Sequence, residues 1–174
     1  MSEIEIHHEH GHHDADPFGK KIGVLVGVIG ILLAGVTIAS HREHTAAVIH
    51  KTEANDQWSF YQAKKIRGEV LDVGASLSGL VQSPEARAAG DKFSAARDHE
   101  AQEADDIKKQ AEAREAESLR AEQRAMRFDL GEGLLELGLV LTSLYFLAKK
   151  RSFPAFGLTA AGFGLLAAIL GALY

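Results

Sequence analysis

The chain contains no cysteine and only three prolines among its 174 residues. The lack of cysteine excludes disulfides, thiol catalysis and cysteine-based zinc sites. A basic stripe is also missing, because Lys and Arg residues are interleaved with Asp and Glu and the net charge is −5. Nucleic acid is therefore not an expected partner.

Charge is absent from three long runs. No Asp, Glu, Lys or Arg occurs in Ile22–Ser40, Leu137–Ala148 or Ser152–Tyr174. The first run gives about 28 Å of helix, which is close to the thickness of a bilayer's hydrocarbon core. The rival interpretation of this run, a cleaved signal peptide, is disfavoured because the run is longer than a usual signal h-region.

These runs predict an all-α integral membrane protein with three transmembrane helices, at residues 20–41, 129–149 and 152–174. Residues 1–19 form a flexible tail rich in histidine and acidic residues. The long connection at 42–128 is predicted to be a coiled-coil-like antiparallel helical hairpin.

The hairpin is predicted to turn at residues 82–85. Ser83-Pro84-Glu85 is a helix-start signal, with serine as N-cap and proline in the first turn. The arms on either side have nearly equal lengths, on the order of 60–68 Å as helix. The first arm carries apolar residues at heptad-like spacing, and we expect this seam to pack against the alanine-rich second arm: Ile66, Val70, Val73, Leu77 and Leu80.

Small residues recur at helical spacing in the apolar runs. Gly19, Gly23 and Gly27 form one ridge, and Gly164 belongs to a second. Such ridges let another helix approach closely in a membrane. Together with the thin hairpin seam, they predict a homo-oligomer or contact with other membrane-complex subunits.

The positive-inside rule favours a cytoplasmic N-terminus. Lys20 and Lys21 precede the first run, and Lys149–Arg151 lie on the same predicted side. Arg42 and Arg127 bias the other face, but long connections influence orientation little. We therefore expect a multi-pass membrane protein with its N-terminus inside and its hairpin outside, which in a bacterium is the periplasm.

Aromatic and amide side chains cluster in the first arm. The only tryptophan is Trp58, roughly 27 Å along a straight helix from the end of the first span, which is too far for the interfacial belt. The cluster either packs between helices or binds a partner, and its proposed contact residues are Gln57, Trp58, Tyr61, Gln62 and Lys65.

The grouping Asp56-Gln57-Trp58 with Tyr61-Gln62-Ala63-Lys64 resembles the signature of an uncharacterised family of small bacterial membrane proteins, catalogued as a domain of unknown function. The resemblance extends over roughly residues 40 to 174. It implies three spans in the bacterial inner membrane and implies no reaction.

Asp129, Glu132 and Glu136 share one helical face at the start of the second span. Glu136 lies roughly 7 Å inside it, where a carboxylate is costly and needs a partner or water. His41, Arg42 and His44 leave the first span on the same side. The group is either an ion network that locks the spans together or a ring of carboxylates at the mouth of a cation or proton pathway.

The N-terminal tail carries histidines interspersed with acidic residues, a composition that suits zinc, nickel or copper: His7, His8, His10, His12 and His13. The alternative interpretation is that the tail is a solvated segment that binds no metal. A weakly bound divalent metal is the only cofactor that the sequence suggests.

We predict a non-enzymatic membrane scaffold or accessory subunit, because no nucleophile triad, phosphate loop or metalloprotease helix occurs. Its partners would be the lipid bilayer and copies of itself or other subunits. A cation or proton channel that uses Glu132 and Glu136, and metal binding by the tail, are the alternatives.

Overall fold

The protein is described by a computed structural model over residues 16–173, and all regular elements in this range are helices. They are α1 (Pro17–Gly79), α2 (Pro84–Ser143), the short α3 (Tyr145–Ala148) and α4 (Ser152–Leu173). Three of these segments are long and apolar enough to cross a membrane: α1, α2 with α3, and α4. The all-α prediction is confirmed, and the N-terminal histidines lie outside the described residues.

Side-chain caps set the starts of both long helices. The Asp16 carboxylate accepts from the Gly19 amide at 2.9 Å, and the Ser83 hydroxyl accepts from the Ala86 amide at 3.1 Å. A proline follows each cap, where its missing amide hydrogen costs nothing. The turn of the hairpin therefore occupies residues 80–83, two residues earlier than the range assigned from the sequence.

The two arms of the hairpin keep a single antiparallel register. Each step along α1 towards the tip is matched by an equal step back along α2. Ion pairs mark this register from the apolar end of the hairpin to the tip: Glu43–Arg124 (3.4 Å), Lys51–Glu115 (2.8 Å), Lys64–Glu100 (2.9 Å) and Asp72–Arg97 (2.7 Å).

Small side chains form the interface between the arms. Five alanines are at most 1% exposed: Ala54, Ala104, Ala111, Ala121 and Ala125. The buried Ser118 hydroxyl donates to the Ala47 carbonyl at 2.9 Å, so the one polar group in this row is bonded across the interface. Alanine and serine at heptad spacing let the two backbones approach closely.

The predicted apolar seam of the first arm does not face α2. Its five side chains are 58–79% exposed: Ile66, Val70, Val73, Leu77 and Leu80. The other face of α1 carries small residues that fit α2 more closely. Gly74 receives the ring of Phe93, and Gly90 packs against Ser78. Close packing of small residues thus determines which face of the arm is buried.

Glycines bring α2 and α4 together. A Cβ on Gly138 would lie 2.7 Å from the Gly157 carbonyl oxygen, and one on Gly131 would lie 2.8 Å from that of Gly164. Only glycine fits at such an approach. The apolar core beside these contacts also includes α1: Ile29, Val36, Phe128, Leu135, Ala161 and Ala168.

The ridge predicted on α1 makes little contact within the described chain. Gly19 lies against its own cap residue, Asp16, and Gly23 approaches only the Phe146 ring. Gly27 is open, because a Cβ added there would meet no atom of the described residues within 4 Å. Of the predicted ridge glycines, Gly164 alone packs tightly against another helix.

Candidate functional site

Hydroxyl groups join α1 to α2 where the apolar segments meet the hairpin. Thr37 donates to Glu132 at 2.8 Å, and Ser40 donates to Asp129. The second oxygen of Asp129 meets the His44 ring at 3.0 Å. We call these five residues the mouth cluster.

The mouth cluster differs in membership from the network that the sequence predicted. Asp129 and Glu132 take part, but none of the bonds comes from the side chain of His41 or Arg42. His44, which was also predicted as a partner, contacts Asp129, and the hydroxyls of Thr37 and Ser40 complete the α1 side. The spacing of three and four residues between these groups matches that of the carboxylates. Charge patterning in the sequence could not reveal the Thr37 and Ser40 hydroxyls, because neither group is charged.

Glu136 stands apart from the mouth cluster. It lies one turn deeper in the apolar part of α2, it is exposed, and it joins none of the ion pairs or hydrogen bonds of the described residues. Leu137 and Val140 beside it are also exposed. A carboxylate at this depth requires water, a cation or a polar partner from outside the described residues.

The aromatic cluster of α1 is only partly buried. Trp58 and Tyr61 are half-buried and meet edge to face, with ring centroids 5.6 Å apart. Gln57 is also half-buried, whereas Gln62 and Lys65 point outwards and are exposed. One part of the predicted contact patch therefore belongs to the hairpin, and the other part is open to a partner.

Glu115 connects this cluster to the second arm. The Lys51 ammonium, 2.8 Å away, lowers the pKa of Glu115, and the nearby Trp58 side chain adds to this effect. Trp58 is half-buried beside this contact between the arms, and the choice between packing and partner binding stays a prediction.

The least exposed ion pairs lie further towards the tip. Lys64 contacts both Glu103 and Glu100, and Arg67 reaches Glu100 at 3.2 Å. The side chain of Glu100 is only 13% exposed. The two carboxylates raise the pKa of Lys64, while Lys64 and, to a smaller extent, Arg67 lower the pKa of Glu100.

The opposite end of the apolar region is basic and ordered by aromatic contacts. The guanidinium of Arg151 lies 4.9 Å from the centroid of the Phe18 ring, and Phe18 meets Tyr145 edge to face at 5.0 Å. The Tyr145 hydroxyl donates to Asp16 at 3.0 Å, and Lys149 is 3.6 Å from the same carboxylate. The start of α1 is thus held against the turn before α4.

Within residues 16–173, no group of three or more His, Asp or Glu side chains is arranged to hold a metal ion. The histidines for which metal binding was predicted are His7, His8, His10, His12 and His13, and they lie outside this range. That prediction therefore stays a prediction.

The chain belongs to the family described as a domain of unknown function (DUF4337), whose model matches residues 18–174. The match covers the first apolar helix as well as the hairpin and the closing pair of helices, and so begins earlier than the resemblance noted in the sequence. No curated protein and no solved structure matches the chain.

Proposed function

We propose that this member of the DUF4337 family is a non-enzymatic structural protein of the bacterial inner membrane. Its three apolar helices cross the bilayer, and its hairpin stands outside as a stalk that joins copies of the chain or other subunits of a membrane complex. The basic residues at the other end favour a cytoplasmic N-terminus and a periplasmic hairpin.

One observation carries this proposal. The helices α1 and α2 run from the apolar region into the hairpin arms without a break, over 63 and 60 residues. The mouth cluster fastens them to each other at the boundary. A helix pair of this kind behaves as a rod, so a contact made at the tip fixes the position of the spans.

The surface of the rod supports a role in assembly. Large apolar side chains are exposed along the arm as well as in the apolar region, among them Phe60 at 59% and Leu80 at 79%. Lipid explains this exposure within the bilayer but not on the hairpin. A partner that covers the hairpin surface would remove the unfavourable free energy of exposing these apolar side chains to water.

The proposal is tested by native mass spectrometry of the full chain extracted in a mild detergent. We expect a closed homo-oligomer or a defined complex with other membrane subunits. A monomer that persists in detergent and in lipid nanodiscs would contradict the proposal.

The exposed carboxylate of Glu136 favours a second candidate function, a cation or proton pathway formed between copies. Its test compares Glu136→Gln with Glu132→Gln in liposomes loaded with a pH-sensitive dye. A pathway predicts that Glu136→Gln abolishes proton flux and leaves the oligomer mass unchanged. Glu132→Gln should instead weaken the bond to Thr37 and lower stability. Equal flux in wild type and Glu136→Gln would exclude the pathway.

A further inference from the structure

An unpaired apolar stripe follows the outer face of α1 near the tip of the hairpin. Its members are between 58% and 79% exposed, and we call them the outer stripe: Ile66, Val70, Val73, Leu77 and Leu80. The stripe is about 21 Å long. The flanking Lys65, Glu69 and Ser76 are polar and exposed, so the stripe is bounded by hydrophilic surface.

The outer stripe cannot be covered by the second arm of its own chain. The opposite side of α1 already contacts α2 through Lys64 and its ion pairs, through Gly74 against Phe93 and through Ser78 against Gly90. These contacts lie on the b and e positions of a heptad in which the stripe supplies a and d. The side that a coiled coil would use is therefore the side that remains open.

We infer that the occupant of the outer stripe is the outer stripe of a second copy, paired in parallel about a two-fold axis along the membrane normal. The inference rests on the proposed membrane assembly and specifies its geometry. Copies inserted by one route share an orientation, so their stripes stand at the same height and run in the same direction. The spacing of four and three residues suits a parallel pair of this kind.

The flanking charges are compatible with this pairing. In a parallel coiled coil, a g residue faces the e residue of the next heptad on the partner. These pairs would be Gln62 with Arg67, Glu69 with Gly74 and Ser76 with Val81. None of them brings two like charges together. An apolar stripe with compatible flanks suits a second copy better than an acidic or basic partner.

Anchoring of both copies in one membrane adds to the weak association that the stripe alone would give. Two heptads are too short to hold free helices together in water. Two stalks fixed in one bilayer meet at a high effective concentration and in the correct orientation, which favours a weak contact without any new bond. The stripe can therefore be short and still pair.

Cysteine cross-linking in native membranes tests the pairing, and the natural absence of cysteine makes each single-cysteine variant unambiguous. The variants are Ile66→Cys, Val73→Cys and Leu80→Cys on the stripe, with Gly79→Cys as the exposed control off the stripe, where an added Cβ meets no described atom within 4 Å. All four positions are exposed, so the fold should tolerate the change. After treatment with copper phenanthroline, we expect disulfide-linked dimers of each stripe variant and at least fivefold less dimer for Gly79→Cys.

The two end positions of the stripe also distinguish parallel from antiparallel pairing, whereas Val73 at its midpoint would link to itself in both. A parallel stripe links Ile66→Cys to itself and Leu80→Cys to itself. An antiparallel one links only mixed samples of these two variants, because a disulfide needs its Cβ atoms within about 4.5 Å. Mixed links alone would overturn the inference, as would links to an unrelated subunit or equal yields on and off the stripe.

Native mass spectrometry separates failure of this inference from failure of the proposed function. An oligomer whose stripe cysteines do not cross-link would retain the membrane assembly and exclude the stripe as its interface. A monomer that does not cross-link would exclude both. A double variant, Val70→Glu with Leu77→Glu, should reduce the dimer fraction at least tenfold while the helix content stays that of the wild type.

Discussion

At the residue scale, the smallest side chains determine the closest contacts. Gly131 and Gly138 on α2 meet Gly164 and Gly157 on α4 at distances that leave no space for a methyl group. The glycine spacing of seven residues on each helix repeats the contact two turns apart. The spacing of small residues in the sequence could identify such ridges. It could not show which ridge packs against another helix of the same chain.

Gly138→Ala should weaken the packing of α2 against α4. The added methyl group would meet the Gly157 carbonyl and Ala161, and overpacking of this kind costs about 1–3 kcal/mol. The measurement is the free energy of unfolding in mixed micelles. Gly133→Ala is the matched control, because no atom of the described residues lies within 4 Å of a Cβ at that position. Equal stability of the two variants would argue against the close contact.

At the element scale, the sequence predicted which segments are helical better than which faces they bury. The Ser83-Pro84 start of α2 was predicted correctly, because the cap and the proline are local signals. The prediction that the apolar seam of the first arm faces α2 was wrong. Heptad spacing is typical of a helix that packs against another helix, but it does not identify that helix. The row of Ala104, Ala111 and Ser118 was the better guide, since only small residues allow the arms to approach closely.

The pairing of the arms should depend on pH through Glu100. Its pKa is lowered by Lys64, so its ion pair is fully stabilising above the ordinary pKa of about 4.3 and is lost as the pH falls through the lowered value. The melting temperature of the full chain in a non-ionic detergent should therefore fall with acidification. The fall should be less steep for Glu100→Gln.

Glu122→Gln provides the control for this pH dependence. Glu122 is exposed and takes no part in the ion pairs that join the arms of the described hairpin, so its variant should follow the wild-type curve. If the melting curves of wild type and Glu100→Gln stay parallel during acidification, the Lys64–Glu100 pair does not contribute to stability.

At the scale of the whole molecule, α2 is the centre of the architecture. It pairs with α1 along the hairpin and with α4 through the glycines, while α1 and α4 scarcely touch. This arrangement leaves much of α1 open along the apolar region, including Val24, Val28 and Ile31. The outer surface of α1 is therefore available to lipid or to another copy from the start of the helix to the tip of the hairpin.

Gly27→Leu should reduce self-association without destabilising the single chain. A Cβ at Gly27 meets no described atom within 4 Å, so a larger side chain fits inside one copy. If this part of α1 meets another copy in the bilayer, leucine would prevent the close approach. The oligomer fraction in lipid nanodiscs should fall while the melting temperature stays unchanged. An unchanged oligomer fraction would remove Gly27 from the interface.

The antiparallel register of the hairpin restricts its length to discrete values. Adding residues to one arm alone would rotate every later side chain away from its partner. Seven residues added to each arm would preserve both the alanine row and the ion-pair spacing, and would raise the tip by roughly 10 Å. The height of the tip above the apolar region can thus change in whole heptads, and only when both arms change together.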